Sequence, residues 1–257
     1  MNNIVKEKFR KGEKPIGMFL GTGSAIVAEC LGRTGIDYII VDNEHSPAEA
    51  ETSAALFRAA ERMGIGAFAR VREISRPAVL KLLDVGAQGL IIPNVSTVDQ
   101  VREIIDYGKY YPIGNRGFCP SRKDGWGADI PGSPEEVMKK INEDTMIIPQ
   151  CETVGALKNI ETIVSMEGVD GIFVGPYDLS ISMGIPGKFE LPEFQKALDD
   201  ILRVCKMAKK PCILYAGTMQ SVLDGFERGF DSMTYSIDAC MIIECVTERI
   251  AKIKNRI

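Results

Sequence analysis

Apolar residues fall in short, near-continuous runs separated by longer amphipathic stretches, and the alternation persists along the whole chain. The runs predict strands at Ile16–Leu20, Tyr38–Asp42, Gly66–Val71, Gly89–Pro93, Met146–Gln150, Gly171–Val174, Cys212–Tyr215 and Ser232–Tyr235. Helical spacing predicts helices over Pro47–Met63, Arg76–Val85, Val98–Tyr107, Pro134–Asn142, Val154–Met166, Leu191–Ala208 and Met219–Arg228. Strands apolar on both faces suit a parallel sheet covered on both sides. Eight βα units in about 250 residues predict an α/β fold, the TIM (β/α)8 barrel, as one domain over residues 1–257. A doubly wound open sheet is the rival. It is weakened because the first strand's turn, GTGSAIVAEC, lacks the third glycine of a dinucleotide fingerprint.

One connection breaks the rhythm: PIGNRGFCPSRKDGWGADIPGS, residues 112–133, carrying Arg116, Arg122, Lys123 and the sole tryptophan, Trp126. Irregular segments of this length in compact domains are commonly active-site covers, so this loop is expected to cover a site. The plainer alternative is a solvated loop anchored by its aromatic residues.

Composition narrows the function classes. A hydrophobic content of 45% and a charged content of 26% are ordinary for a globular protein. A formal net charge of −4 disfavours nucleic acid as the main partner. No apolar run is long enough to span a membrane, and the N-terminal residues lack the apolar core of a secretory signal. Seven scattered cysteines with no CxxC pair suit reduced thiols in a cytoplasmic protein.

Barrel enzymes place reacting groups at the C-terminal ends of their strands. Those positions hold Asp42, Glu44 and the only histidine, His45, then Arg70, Gln150, Glu152 and Asp178. In PQCET, Gln150 and Glu152 share a face while Cys151 points away as packing. Glu152 and Asp178 form an oxygen-rich pair suited to Mg²⁺ or Mn²⁺. Glu152 also fits a second reading, an acid stabilised at a helix N-terminus. No strand or residue immediately after one carries lysine, so imine chemistry is disfavoured.

At these residues the chain resembles the HpcH/HpaI family of metal-dependent pyruvate aldolases. The likeness rests on DNEHSP at 42–47, FARV around Arg70, LLDVGAQGLIIPNVSTVDQ at 82–100, YYPIGNRG at 110–117, PQCET at 149–153 and GVDGIFVGPYDLSISMG at 168–184. The resemblance implies Glu152 and Asp178 as metal ligands for Mg²⁺, Mn²⁺ or Co²⁺. It implies Arg70 on the pyruvate oxygens, with Gln150, Asp178 and the Tyr177 backbone N–H helping to hold pyruvate. It makes His45 the acid/base group with Asp42 as its partner, and Asp84 an acid acting from a neighbouring subunit. Asp84 also reads plainly as a solvated acid late in a helix. Glu44 takes a supporting polar role. The implied assembly is a homo-oligomer, a hexamer, that exchanges its C-terminal helix between subunits. The stripe Ile243, Val246, Ile250, Ile253, Ile257 is available for such an exchange, or for packing on its own barrel.

The reaction expected is reversible cleavage of a 4-hydroxy-2-oxo acid, acidic or sugar-derived, to pyruvate and an aldehyde. Three segments depart from the family pattern: ILYAGTMQ, in which strand seven ends, TYSIDAC, in which strand eight ends, and Cys119–Pro120. These are expected to alter the aldehyde half of the pocket, with Tyr215 narrowing it. The rivals are an acyl-CoA lyase of the malyl- or citryl-CoA type, needing a basic groove for CoA phosphates, and a non-catalytic 2-oxo-acid binder.

Overall fold

The computed structural model describes residues 3–128 and 132–257. Eight parallel strands close in sequence order: β1 (Ile16–Leu20), β2 (Tyr38–Asp42), β3 (Gly66–Arg70), β4 (Gly89–Ile92), β5 (Met146–Cys151), β6 (Ile172–Val174), β7 (Cys212–Ala216) and β8 (Ser232–Ile237). This is the TIM barrel that the alternation predicts. Helices α1 (Ile4–Arg10), α2 (Ala25–Leu31), α3 (Ala50–Arg62), α4 (Arg76–Asp84), α5 (Val98–Gly108) and α6 (Pro134–Asp144) belong to the first half. In the second lie α7 (Val154–Lys158), α8 (Ile160–Ser165), α9 (Pro176–Ser182), α10 (Pro192–Ala208), α11 (Met219–Arg228) and α12 (Asp238–Lys254). The run expected as one helix over Val154–Met166 is two, broken at Asn159, whose side chain donates to Gly155 and Ser96 carbonyls.

Two apolar layers divide along the two-residue period of each strand. Tyr38 and Ile40 of β2 face the barrel interior with Phe19, Phe68, Ile148, Phe173 and Ile213. Ile39 and Val41 face outward into the larger core under the helices. Cys151 joins that outer layer, as its alternation with Gln150 predicts. Tyr38 crosses the interior so closely to β1 that a Cβ on Gly17 would lie 2.1 Å from its ring. Its hydroxyl shares hydrogen bonds with Ser232 and Thr234 at 2.9 and 3.0 Å. Val5 of α1 packs into the same interior cluster from the N-terminal end and closes it. Each fully buried Ile or Phe in such a layer is worth roughly 1.5–3 kcal/mol, which leaves the open C-terminal mouth as the place where polar groups are least costly.

Two expectations change. The 112–133 loop follows α5 and leads to α6 and β5, so it lies at the N-terminal end of the barrel, opposite His45. Arg116 pairs with Asp84 at the end of α4 (2.6 Å), and Lys123 donates to Thr145 just before β5 (2.9 Å). It therefore does not cover the mouth of its own barrel, and Cys119–Pro120 does not shape its own aldehyde pocket. Residues 129–131 of this loop lie outside the described residues. The C-terminal helix α12 does not pack its stripe on its own sheet either. Asp238, which accepts Gly21 N–H and the Thr22 hydroxyl, is its one buried residue among those described. Ile243, Val246, Ile250 and Ile253 stay exposed.

Candidate active site

The same two-residue period that builds the interior carries it upward into the mouth. Ile40 is followed inward by Asp42, Phe68 by Arg70, Ile148 by Gln150 and then Glu152, Phe173 by Gly175, and Ile213 by Tyr215. Apolar side chains fill the lower layers and chemically capable ones crown them. His45, Arg70, Gln150, Tyr177, Asp178 and Tyr215 line one cavity of ≈ 200 Å³.

Arg70 and Asp42 are Cα neighbours in the β2–β3 register and form a two-point ion pair, Nε to Oδ1 at 2.9 Å and Nη2 to Oδ2 at 2.7 Å. Burial would push the Asp42 carboxyl up, but the guanidinium and the N–H groups of Glu44 and His45 outweigh it and hold that carboxyl below its usual value. The sequence-based pairing of Asp42 with the His45 imidazole is thus corrected: Arg70 takes the carboxylate, and His45 meets it through its backbone N–H at 3.3 Å. The carboxylate nearest the imidazole is Glu44, 3.6 Å from Nε2. The imidazole is 66% exposed and so open to a substrate in the cavity. Arg70 stands over the Phe19 ring at 4.8 Å, which fixes the plane of its guanidinium.

Glu152 is buried, and its surroundings decide between its two readings. Thr153, not Glu152, caps α7 by accepting Ala156 N–H at 2.9 Å. One Glu152 oxygen accepts the Asn94 N–H at 2.6 Å and the other accepts from Gln150 Nε2. Burial pushes the Glu152 carboxyl up, and the nearby Asp178 and Glu44 charges push it further against those two donors. Gly175 keeps the space above it clear: a Cβ there would sit 2.9 Å from Glu152 Oε2 and 2.8 Å from Gln150 Nε2. Asp178 is exposed in the first turn of α9, beside the Tyr177 N–H, which has no intrahelical acceptor at that position.

Asp84 is the expected site residue that the structure keeps apart. It pairs with Arg116 at the N-terminal end of the barrel, away from the cavity of its own chain.

The model of the HpcH/HpaI aldolase/citrate lyase family matches residues 15–229. The chain belongs to this family. Among its relatives is 2-keto-3-deoxy-L-rhamnonate aldolase of Escherichia coli O157:H7, 31% identical over 99% of this chain and 94% of the relative. An HpcH/HpaI aldolase/citrate lyase family protein of Burkholderia cenocepacia J2315 superposes with a TM-score of 0.91 at 26% identity, covering 98% of this chain and all of the other. The citrate synthase SbnG gives 0.88 at 26% identity over 98% of both chains. The chain is a class II aldolase, a metal-dependent carbon–carbon lyase that forms pyruvate.

The mouth of this HpcH/HpaI aldolase suits a divalent cation. Its donors are carboxylate oxygens, the set preferred by Mg²⁺ and Mn²⁺. Among the described residues no three His, Cys, Asp or Glu side chains gather as a metal cluster, so a cation held by Glu152 and Asp178 would take the rest of its shell from water and substrate. That is how Mg²⁺ usually binds. Three mutually repelling carboxylates, Glu44, Glu152 and Asp178, are the arrangement that a cation relieves. Gln150 Oε1 is buried without a partner, a polar atom left to face whatever fills the cavity.

Two mouth residues exceed what the sequence reading assigns. Glu44 is a hub, contacting Arg70 Nη1 at 3.2 Å and His45. Asn94 follows β4 at φ 56°, donating its backbone N–H to Glu152 and its side-chain Nδ2 to Glu44 at 2.9 Å. Its sequence signal is faint: an asparagine after a proline at a strand end, where a turn explains it equally well.

Proposed function

We propose that the chain, acting as a single domain over residues 1–257, splits a sugar-derived 4-hydroxy-2-oxo acid into pyruvate and a short uncharged aldehyde. The observation that carries this reading is the convergence of His45, Arg70, Gln150 and Asp178 on one cavity directly above buried Glu152. Glu152 and Asp178 would hold Mg²⁺, Mn²⁺ or Co²⁺, which when bound supplies Lewis acidity for charge developing on the 2-oxo oxygen. His45 takes the proton of the 4-hydroxyl as the C3–C4 bond breaks and the aldehyde carbonyl forms. The electron pair passes from C3 onto the 2-oxo oxygen, where Arg70 is a permanently charged donor. The Tyr177 N–H and Gln150 orient the pyruvate half, and a proton returned to C3 gives the methyl group.

Phe19, Phe173, Tyr215 and Ile237 form the other wall of the cavity. Tyr215 lies 5.9 Å from the Phe19 ring and 6.1 Å from Tyr177, so the aldehyde half is aromatic and narrow. Among the described residues Arg70 is the only permanently cationic one lining the cavity and is already paired, which disfavours an acidic tail. The same point weighs against an acyl-CoA lyase: the basic 112–133 loop lies at the opposite end from the mouth. Free thiols at all seven cysteines suit the reducing cytoplasm, and no helix among the described residues is long and apolar enough to cross a membrane.

The test is pyruvate with Mn²⁺ or Mg²⁺ and a panel of glycolaldehyde, lactaldehyde and succinic semialdehyde. Aldol product is expected from the uncharged aldehydes, with succinic semialdehyde at least about tenfold poorer, a difference of ~1.4 kcal/mol in transition-state binding. His45→Ala should lose cleavage yet keep metal-dependent pyruvate binding. Cleavage within about threefold of wild type, ~0.65 kcal/mol, removes the acid/base role. Pyruvate binding with no exchange of its methyl protons would leave a non-catalytic binder.

The exposed stripe of α12 supports a homo-oligomer in which a second copy covers Ile243, Val246, Ile250 and Ile253, and a hexamer is the assembly that the family resemblance implies. Asp84 is remote from its own cavity and paired with Arg116, so any part it takes in the reaction would be on a neighbour's site. Light scattering should show assembly that is lost on deleting residues 237–257, while Asp84→Asn lowers activity without dissociating it. A fully active monomer rejects both statements.

A further inference from the structure

We propose that Asn94 is a positioning residue that ties the metal-binding carboxylate to the acid/base side of the mouth. The inference rests on the assignment of Glu152 as a metal ligand made above. β4 lies between β3 and β5, and Asn94 stands at its C-terminal end. From there its backbone N–H reaches one way to Glu152 Oε1 at 2.6 Å, beyond β5. Its side-chain Nδ2 reaches the other way to Glu44 Oε1 at 2.9 Å, beyond β2. One residue therefore bridges two carboxylates that repel each other across the mouth.

The backbone explains why the residue is asparagine. At φ 56° it sits in the left-handed region, which disfavours most side chains and is tolerated by asparagine. That conformation aims the N–H at Glu152. A β-branched residue would be forced out of it, and glycine would keep it while losing the arm to Glu44. Glu44 in turn contacts Arg70 at 3.2 Å and the His45 imidazole at 3.6 Å. The side chain of Asn94 thus fixes the carboxylate between the two groups that act on opposite halves of the substrate, and its backbone fixes the Glu152 carboxylate that would hold the metal. Strain at a functional mouth held by contacts on both sides is the expected signature of such a part.

The two arms separate experimentally. Asn94→Gly keeps the backbone conformation and the N–H to Glu152, so Mn²⁺ affinity, read by electron paramagnetic resonance on the pyruvate-free protein, should stay within about twofold. Its kcat should fall about tenfold with little change in the KM for the 2-oxo acid, the loss of an interaction felt in the transition state. Asn94→Val should lose both, with Mn²⁺ binding weakened at least about tenfold, a loss in the range seen when partners of metal ligands are removed. Asn94→Asp faces Glu44 with a second carboxylate and should be slower than Asn94→Gly. Combining it with Glu44→Gln reverses donor and acceptor and should recover part of that loss, which a merely structural role would not produce. Thermal melting confirms that each variant is folded. Unchanged kcat in folded Asn94→Gly, or wild-type Mn²⁺ affinity in folded Asn94→Val, overturns the inference. Wild-type Mn²⁺ affinity in Glu152→Ala instead overturns the ligand assignment and this inference with it, so the two failures appear in different variants.

Discussion

Arg70→Ala is expected to lower kcat/KM by about 10²–10³-fold, the usual consequence of deleting a donor to a developing oxyanion, and to cost about 3 kcal/mol of stability. The two effects have separate origins. The activity loss comes from the guanidinium facing the cavity. The stability loss comes from Asp42, which is left ionised and buried once its two-point partner is gone. With side chains only 11% and 9% exposed, this pair is shielded enough for removal of one member to be costly. For a chain of this size the melting temperature should drop by about 6–12 °C. Arg70→Lys should recover part of the stability through its charge and little of the activity, because an ammonium cannot reproduce the planar fork.

The pH dependence gives an independent check. Arg70 holds the folded Asp42 carboxyl below its unfolded value. A depressed carboxyl contributes stability that is full above the unfolded value, about 3.9, and is lost as pH falls through the folded one. The stability gap between wild type and Arg70→Ala should therefore be widest near neutrality and narrow as pH falls below about 4. Urea melts at pH 7 and pH 3.5 measure it. A gap of constant size would assign the loss to packing on Phe19, not to the ion pair.

How much of this was legible in the chain depended on which force sets each feature. Strand starts such as Ile16, Tyr38, Gly66 and Cys212 agree with the apolar pattern because burial of both faces is written directly into composition. Strand ends drift, as at Ser232–Ile237, because the polar residues crowning the mouth still obey strand geometry while breaking the apolar run. That His45, Arg70, Gln150, Glu152 and Asp178 gather at one mouth is legible in the chain because barrel topology tells which strand end faces it. Asp42 can pair with either Arg70 or His45 as far as sequence goes, and only the β2–β3 register puts Arg70 opposite it. The direction of the 112–133 loop follows from α5 ending at the N-terminal side, a consequence of counting elements that its length and charge obscured. Asn94 stayed hidden because a dihedral angle, not a residue type, gives it its reach.

The largest loss should follow removal of the metal. Exhaustive chelation is expected to abolish cleavage, by at least about 10³-fold, and Mn²⁺, Co²⁺ or Mg²⁺ to restore it, because among the described residues no lysine lines the cavity to form an imine in the cation's place. Glu152→Gln should imitate the loss while revealing what the carboxylate costs the empty protein. Burial, Asp178 and Glu44 raise the folded Glu152 carboxyl above its unfolded value, so its ionised form opposes folding at neutral pH and that penalty fades as pH falls through the raised value. Glutamine removes the charge and can still accept the Asn94 N–H, while Gln150 turns its unpartnered Oε1 toward the new amide. The metal-free variant should therefore melt above metal-free wild type, by about 2 °C or more. Mn²⁺ should reverse the order. At a hundredfold excess over its dissociation constant it adds about 2.7 kcal/mol to wild type and little to the variant. Full activity after chelation, or borohydride trapping of a pyruvate adduct, defeats the metal assignment. An apo variant that melts below apo wild type defeats the account of Glu152 as a carboxylate held at a cost until a cation neutralises it.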